Sequence, residues 1–276
     1  MLTHSKEIII KGIRDYYQAD IVQALKDVGV EEGNDIFVHS NISFGEPDPK
    51  VSFGDPGETL NIASYCNAII ECFLEAVGNE GTVMMPTYTY SFFEGEKYSP
   101  SNSISKVGVI TEIFRRRKDA KRSLHPILSI SAIGKKAKYY TKIDDKTSFG
   151  SKSFFAKLPR NNVKIVLFGA PLSSIVFIHF LEQSIEVPYY RKKKFSGKII
   201  SENGEYKDTF EYFITPSDGS VMYDFFKLEE FLVAEDVMKR MPFGRSWVKS
   251  IASKKFYKEC IKKLRKDPRF LLKSFW

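Results

Sequence analysis

Apolar residues recur at helical intervals in three stretches of the first half of the chain. The apolar positions within residues 16–28 lie three or four apart, which predicts an amphipathic helix. The same spacing within residues 62–77 predicts a second helix, and Gly78 is a typical residue at a helix C-terminus. A third helix is predicted over residues 107–117.

Short apolar runs alternate with these helices and predict buried strands. They cover residues 36–38, 81–86, 127–133 and 163–168. Each run is too short for a typical helix and leads into Gly, Ser, Thr or other loop residues. Short buried strands that alternate with amphipathic helices are typical of α/β proteins. We therefore predict a layered α/β/α fold around a central mixed sheet.

The pattern changes over residues 188–215, where aromatic residues alternate with charged ones. Asn203-Gly204 is a typical hairpin turn within this stretch. The sequence therefore predicts a small antiparallel insertion, followed by helices over residues 227–240 and 247–266.

Charge separates a body, residues 1–248, from a C-terminal segment, residues 249–276. Ten of the 42 Lys and Arg residues and only two acidic residues lie in the C-terminal segment, so it carries the whole formal charge of +8. Aromatic and aliphatic residues interleave with these cations, a pattern typical of a helix on an anionic membrane surface. The alternative is a helix that packs on the body with its cations in solvent.

The three cysteines, Cys66, Cys72 and Cys260, fit neither a disulfide framework nor a zinc site. We therefore predict reduced thiols in a cytoplasmic protein that holds no metal. No run of about 18 apolar residues is present, so no membrane-spanning helix is expected. A peripheral location, with residues 249–276 in contact with the inner face of a membrane, is the alternative to a purely cytoplasmic one.

Residues 175–182 form a mostly apolar stretch with two side chains that exchange protons, His179 and Glu182. If the stretch is helical, these residues are neighbours on one face. Histidine titrates near neutral pH and is the most frequent general base. A carboxylate one turn away orients the imidazole or binds a cationic amine. The alternative is a buried histidine with a structural hydrogen bond beside a solvated Glu.

Three loops that follow predicted strands or turns carry pairs of hydroxyl groups. The pairs are Ser40 with Ser43, Thr87 with Thr89, and Ser123 with Ser129. Loop amides and hydroxyls of this kind bind a phosphate, a pantetheine amide or an oxyanion. Each pair alone also fits an ordinary structural role, because Ser and Thr are frequent in turns.

Five short motifs in order along residues 18–195 resemble the aminoglycoside 3-N-acetyltransferase family. They are Val38–Gly45, Gly81–Thr87, Arg122–Pro126 with Ser129, Phe149–Ser151, and Ile178–Glu182. The resemblance implies an acetyl-CoA-dependent N-acetyltransferase with a layered α/β fold. It also implies that His179 is the general base and that Glu182 orients it or binds the amine. The residues that would bind coenzyme A are Ser40, Ser43, Thr87, Thr89, Arg122, Ser123, His125 and Ser129.

The charge distribution bears on the acyl acceptor. A neutral body with a basic C-terminal segment suits an anionic acceptor better than a polycationic one. We therefore expect a small amino-sugar substrate, a nucleotide-linked sugar for surface polysaccharide synthesis, with an aminoglycoside as the alternative. A non-catalytic sugar- or lipid-binding protein on the same fold is the competing class. No nucleic-acid partner is expected, because no recognised binding module accompanies the cations, and the oligomeric state stays open.

Overall fold

The computed structural model describes residues 8–11, 16–42, 44, 46–47, 62–216 and 218–274. Its strands are β1 (Ile8–Lys11), β2 (Tyr16–Tyr17), β3 (Asp35–Ser40), β4 (Glu46–Pro47), β5 (Thr82–Pro86), β6 (Lys121–Arg122), β7 (Ile130–Gly134), β8 (Lys164–Phe168), β9 (Arg191–Ser201), β10 (Gly204–Ile214), β11 (Met238–Phe243) and β12 (Ser246–Ala252). Seven of them form a mixed sheet in the order β11-β12-β8-β3-β5-β7-β6. β3 is parallel to both of its neighbours, β5 and β8.

Helices cover both faces of this sheet. They are α1 (Gln18–Asp27), α2 (Ile62–Val77), α3 (Val109–Arg116), α4 (Ala137–Thr141), α5 (Phe154–Arg160), α6 (Phe177–Ser184), α7 (Phe225–Ala234) and α8 (Ser253–Lys266). The apolar residues of α1, α2 and α3 form one core with one sheet face, and those of α4 to α8 form the other. The predicted α/β/α fold with a central mixed sheet is therefore confirmed.

The central strands are apolar in succession because both of their faces are covered. In β3, Ile36 and Val38 belong to the core on the α1–α2 side, whereas Phe37 belongs to the core on the opposite side. All three side chains are fully buried. The strands predicted from short apolar runs are therefore present, although the run at 127–133 yields a strand only from Ile130.

The carboxyl ends of β3, β5 and β8 meet at one edge of the sheet, because these strands run in the same direction. Gly169, directly after β8, has a φ of +70°, and a Cβ there would lie 2.2 Å from the carbonyl oxygen of Asn41. Only glycine therefore allows the loops after β3 and β8 to approach so closely. The chain then leads through a short 3₁₀ turn, Leu172–Ser174, into α6.

The predicted antiparallel insertion is confirmed as the hairpin β9–β10. Phe92 and Phe93, in the loop after β5, pack against Phe210, Phe195 and Tyr212 of the hairpin. The loop after β5 and the hairpin therefore form one aromatic layer over the carboxyl edge of the sheet.

The C-terminal region differs from the sequence-based expectation. The helix predicted over residues 227–240 ends at Ala234, and the next residues form β11. The helix predicted from residue 247 begins only at Ser253, because residues 246–252 form strand β12, in which residues 248–252 pair with β8. The expected boundary at residue 248 falls inside this strand. Pairing with β8 outweighs helical spacing here, because it satisfies the backbone groups along that edge of the sheet.

Most of the apolar residues that the structure describes in the C-terminal segment lie in the core, whereas Phe275 and Trp276 lie outside the described residues. On α8 they are Phe256, Cys260, Ile261 and Leu264, all buried, and Leu271 and Leu272 are buried beyond the helix. The structure thus takes the packed arrangement that the sequence left as the alternative to a membrane-surface helix. No helix among the described residues is long and apolar enough to cross a membrane.

Candidate active site

The His179–Glu182 pair lies on α6, as the spacing predicted. Nδ1 of His179 lies 2.9 Å from Oε2 of Glu182, one helical turn away. Phe177, Ile178 and Leu181 anchor the helix in the core. The pair therefore sits on a short helix whose position is set by apolar packing.

Glu182 has no exposed surface and accepts hydrogen bonds from three tyrosines. Tyr189 donates to Oε1 at 2.8 Å. Tyr190 and Tyr223 donate to Oε2 at 2.5 and 3.2 Å. With Nδ1 of His179, four donors surround this carboxylate, which matches its capacity of about four lone-pair sites.

The imidazole of His179 is partly open, with 23% of its side chain exposed. Its hydrogen bonds to the described residues are all made at Nδ1. Because the carboxylate accepts only, Nδ1 carries the proton of the neutral ring, and Nε2 has the free lone pair. The ring lies against Phe149, Tyr190 and Tyr223, with centroids 5.5, 6.0 and 5.7 Å away.

The tyrosines stay protonated at neutral pH. Burial, followed by the negative charge of Glu182, raises the pKa of Tyr189, Tyr190 and Tyr223 well above that of a free phenol. Their hydroxyls therefore act as hydrogen-bond donors to the carboxylate throughout the range in which an imidazole titrates.

A cavity of about 570 Å³ lies beside α6. Phe149 and Gln183 belong to its wall, and the cations Arg160 and Lys254 reach it from α5 and α8. No carboxylate is among the described residues that line it. The Oε1 atom of Gln183 is buried and has no partner among the described residues. The cavity therefore offers positive charge next to the helix that carries His179.

The hydroxyls of Thr87 and Ser129 tie two loops together. Oγ1 of Thr87 donates to the carbonyl of Ser129 at 3.1 Å, and Oγ of Ser129 donates to the carbonyl of Thr87 at 2.5 Å. Both side chains are fully buried. These groups, which the sequence assigned to coenzyme A, use their hydrogen-bonding capacity within the protein.

Thr89 and Ser123 have similar internal partners. Oγ1 of Thr89 donates to the carbonyl of Pro126 at 2.9 Å, and Oγ of Ser123 accepts from the backbone N–H of Ile130 at 3.0 Å. The hydroxyl of Thr89 therefore holds the turn between β6 and β7 against the loop after β5, and that of Ser123 closes the turn itself.

Arg122 is bound to backbone carbonyls. Its guanidinium donates to the carbonyls of Thr87, Pro100 and Ser103 at 2.5–2.9 Å and to Oγ of Ser129 at 3.3 Å. Burial lowers the pKa of Arg122 below its ordinary value. The residue predicted as a phosphate anchor thus joins three loop segments, with its donors directed into the protein.

The remaining predicted coenzyme A residues lie in different settings. Oγ of Ser40, at the carboxyl end of β3, is buried without a partner among the described residues, whereas Ser43 lies outside them. Nδ1 of His125 accepts from the backbone N–H groups of Ile127 and Leu128, and its Nε2 lies 3.3 Å from Oγ of Ser148. Burial lowers the pKa of His125 to about 3, so it remains neutral.

Sequence patterns did not indicate the three tyrosines around Glu182. Tyr189 and Tyr190 follow α6 within a few residues, so their closeness in sequence could have indicated contact with Glu182. Tyr223 lies 41 residues beyond Glu182, and only tertiary packing brings it there. No group of three or more metal-ligating side chains occurs in the described part of the chain, and Cys66, Cys72 and Cys260 are free and buried.

Comparison with known proteins gives a consistent result. A family described as aminoglycoside 3-N-acetyltransferase matches residues 54–265. Aminoglycoside N(3)-acetyltransferase III from Salmonella sp is 22% identical over 234 residues, which cover 76% of this chain and 74% of that protein. Aminoglycoside N(3)-acetyltransferase IV from Salmonella sp is 22% identical and covers 94% of this chain and 91% of its own length. The match extends past residue 195, where the recognised motifs end.

Solved structures share the fold. The complex described as AAC-IIIb binary with CoASH superposes with a TM-score of 0.74 at 22% identity, over 90% of this chain and 96% of that one. AAC-VIa bound to sisomicin gives a TM-score of 0.74 at 18% identity, over 91% of this chain and 98% of that one. The YokD protein from Bacillus subtilis gives 0.71 at 20% identity, over 91% and 94%.

Proposed function

The chain belongs to the aminoglycoside 3-N-acetyltransferase family and is an acyltransferase that uses acetyl-CoA, and we propose that His179 is the general base for acetyl transfer to an amino sugar. The observation that carries this proposal is the partly exposed imidazole whose Nδ1 is held by the buried carboxylate of Glu182. That arrangement leaves Nε2 to accept a proton.

The chemistry requires such a base. A protonated sugar amine is not nucleophilic, so it must lose a proton before or during its attack on the thioester carbonyl. Once that proton is lost to solvent, the neutral amine attacks, and Nε2 of His179 takes a second proton from the nitrogen as the carbon–nitrogen bond forms. The carbon–sulfur bond breaks when the tetrahedral intermediate collapses, and the imidazolium returns its proton to the coenzyme A thiolate. General base catalysis contributes about 10²- to 10⁴-fold to the rate.

Glu182 acts by orienting the imidazole. Its side chain is fully buried and both oxygens accept hydrogen bonds from tyrosines, so an incoming amine does not reach the carboxylate. Its negative charge also stabilises the imidazolium that forms during transfer. Of the two roles considered for Glu182, this geometry favours orientation over amine binding.

Transfer is direct, without an acyl-enzyme on cysteine. Cys66, Cys72 and Cys260 are buried, and burial raises the pKa of all three thiols, that of Cys66 to about 11. A protonated, buried thiol is a poor nucleophile.

Acetyl-CoA lies at the carboxyl edge of the sheet, along the loops after β3, β5 and β6. Thr87, Thr89, Arg122, Ser123, His125 and Ser129 shape these loops through their internal hydrogen bonds. We assign direct contact with the cofactor to Ser40, because its hydroxyl has no partner among the described residues, and we assign Ser43 of the same sequence motif to this contact as well. A Ser40→Ala variant should raise the KM for acetyl-CoA while a Thr87→Ser variant, which keeps the hydroxyl, should leave it unchanged.

The acceptor that family membership favours is the amine of an aminoglycoside. A second candidate, a nucleotide-linked amino sugar, is favoured by the cavity beside α6, whose described lining includes Arg160 and Lys254 but no carboxylate. A substrate panel separates them: coenzyme A release is measured with aminoglycosides and with amino-sugar nucleotides. Turnover confined to one class identifies the acceptor, and His179→Ala should abolish it in either case. Binding of sugars without any release of coenzyme A would instead indicate a non-catalytic protein.

Contact of the C-terminal segment with an anionic membrane would rest on its cations, since most of its described apolar residues are buried. Sedimentation with anionic liposomes at low and high salt tests this contact. Binding that persists at high salt would contradict a purely electrostatic mode.

A further inference from the structure

We propose that Tyr189, Tyr190 and Tyr223 are positioning residues that set the orientation and tautomer of the His179 imidazole through Glu182. This inference rests on the proposed role of His179 as the base. The three hydroxyls do not need to touch the substrate for this role, because each of them acts on the carboxylate.

The two oxygens of Glu182 are held by different donors. Oε1 accepts from Tyr189, whereas Oε2 accepts from Tyr190, Tyr223 and Nδ1 of His179. A carboxylate bound at both oxygens cannot rotate about its terminal bond without breaking several charge-assisted hydrogen bonds. The plane of the carboxylate, and with it the direction in which Oε2 meets Nδ1, is therefore set by the tyrosines.

The donors come from separate parts of the chain. Tyr189 and Tyr190 lie between α6 and β9, whereas Tyr223 lies just before α7. The segment around Tyr223 is in turn held by the C-terminus: Tyr223 forms a β-bridge with Leu272, and the N–H of Lys273 donates to the carbonyl of Met222 at 2.8 Å. The C-terminal segment thus helps to position the hydroxyl of Tyr223, which bonds to the carboxylate that orients the imidazole.

Tyr190 has the most direct position. Its hydroxyl oxygen lies 2.5 Å from both Oε2 of Glu182 and Nδ1 of His179. Since it donates its single proton to the carboxylate, its lone pairs face the Nδ1–H group. Both contacts favour the tautomer with the proton on Nδ1 and the lone pair on Nε2, which is the form that a general base requires.

The test removes one hydroxyl at a time. Tyr190→Phe and Tyr223→Phe keep the ring and delete only the donor. We expect kcat to fall about 10-fold for Tyr190→Phe, corresponding to one charge-assisted hydrogen bond. The acid limb of the kcat/KM profile should shift, while the KM for acetyl-CoA stays within about twofold of the wild-type value.

A matched control separates positioning from stability. Tyr140 also donates from a buried hydroxyl to a carboxylate, Oδ2 of Asp35, at 2.7 Å. Asp35 begins β3, at the end of the strand opposite to the carboxyl edge. Tyr140→Phe should lower the melting temperature as Tyr190→Phe does, but it should leave kcat and the pH profile unchanged.

A double-mutant cycle shows whether the hydroxyl acts through the carboxylate. In a Glu182→Gln background, Tyr190→Phe should cost less than threefold in kcat, because the charged acceptor is already gone. Equal losses in both backgrounds, or a wild-type profile for Tyr190→Phe, would overturn the positioning role. If His179→Ala retains turnover, the proposed function fails; if only the tyrosine variants behave as wild type, the inference alone fails.

Discussion

Replacing Glu182 by Gln tests the relation between the buried carboxylate and the imidazole most directly. The side chains have the same size, so packing on α6 is preserved. The amide keeps one acceptor oxygen and gains an NH₂ group, which must face a donor. Four donors converge on the carboxylate in the wild-type protein, so at least one hydroxyl has to turn away.

The expected loss follows from the 2.9 Å contact between Nδ1 and Oε2. Changing a charge-assisted hydrogen bond to a neutral one removes about 1 kcal/mol. Loss of a negative charge opposite the forming imidazolium removes up to about 4 kcal/mol at the effective dielectric constant of a partly exposed site. Roughly half of this upper limit, added to the loss from the hydrogen bond, gives about 3 kcal/mol, which corresponds to a fall in kcat of about 10²-fold.

Coenzyme A release at saturating acetyl-CoA and acceptor measures this loss. Glu229→Gln is the matched control, because Glu229 accepts from Lys249 and Arg240 far along the chain from α6. A kcat for Glu182→Gln within threefold of the wild-type value, with an unchanged pH profile, would refute the orienting role.

Three further predictions concern stability. Burial lowers the pKa of His39 and His125 to about 3, below the value of about 6.5 in an unfolded chain. The unfolded state therefore binds more protons at acid pH, so the stability contributed by the neutral histidines is complete above about pH 6.5 and is lost as the pH falls. Urea unfolding should show a free energy of unfolding lower at pH 5 than at pH 7.5 by about 2 kcal/mol for each histidine. Equal free energies of unfolding at the two pH values would contradict this prediction. Gly169→Ala should cost more than Gly95→Ala in thermal unfolding, because both glycines have φ near +70° but only the first faces backbone atoms; equal costs would argue against the close approach. Leu264→Ala should cost about 2–5 kcal/mol in chemical denaturation, and a neutral effect would mean that α8 does not pack on the core.

The pair on α6 was predictable because its geometry is local. Two side chains three residues apart on a helix are neighbours on one face, independently of the rest of the tertiary structure. The helices of the first half and the short buried strands were predictable for a related reason: their apolar spacing depends on the faces that each element buries.

The coenzyme A residues illustrate the opposite case. Sequence motifs located the loops of Thr87 and Arg122, but they did not show that these side chains bond to carbonyls of neighbouring loops. Whether a hydroxyl faces a ligand or the protein depends on which segments pack beside it, and this information is spread over residues far apart in the chain.

The C-terminal segment shows the same limit. Its helical spacing and its charge suited a membrane-surface helix, yet β12 pairs with β8 and the apolar side of α8 is buried. By itself the sequence determined the alternation of helices and strands in the first half of the chain, the His179–Glu182 contact and the motifs of the family. Only the tertiary structure decided that Tyr223 donates a hydrogen bond to Glu182. The two residues lie 41 positions apart, so their contact depends on the packing of the elements between them.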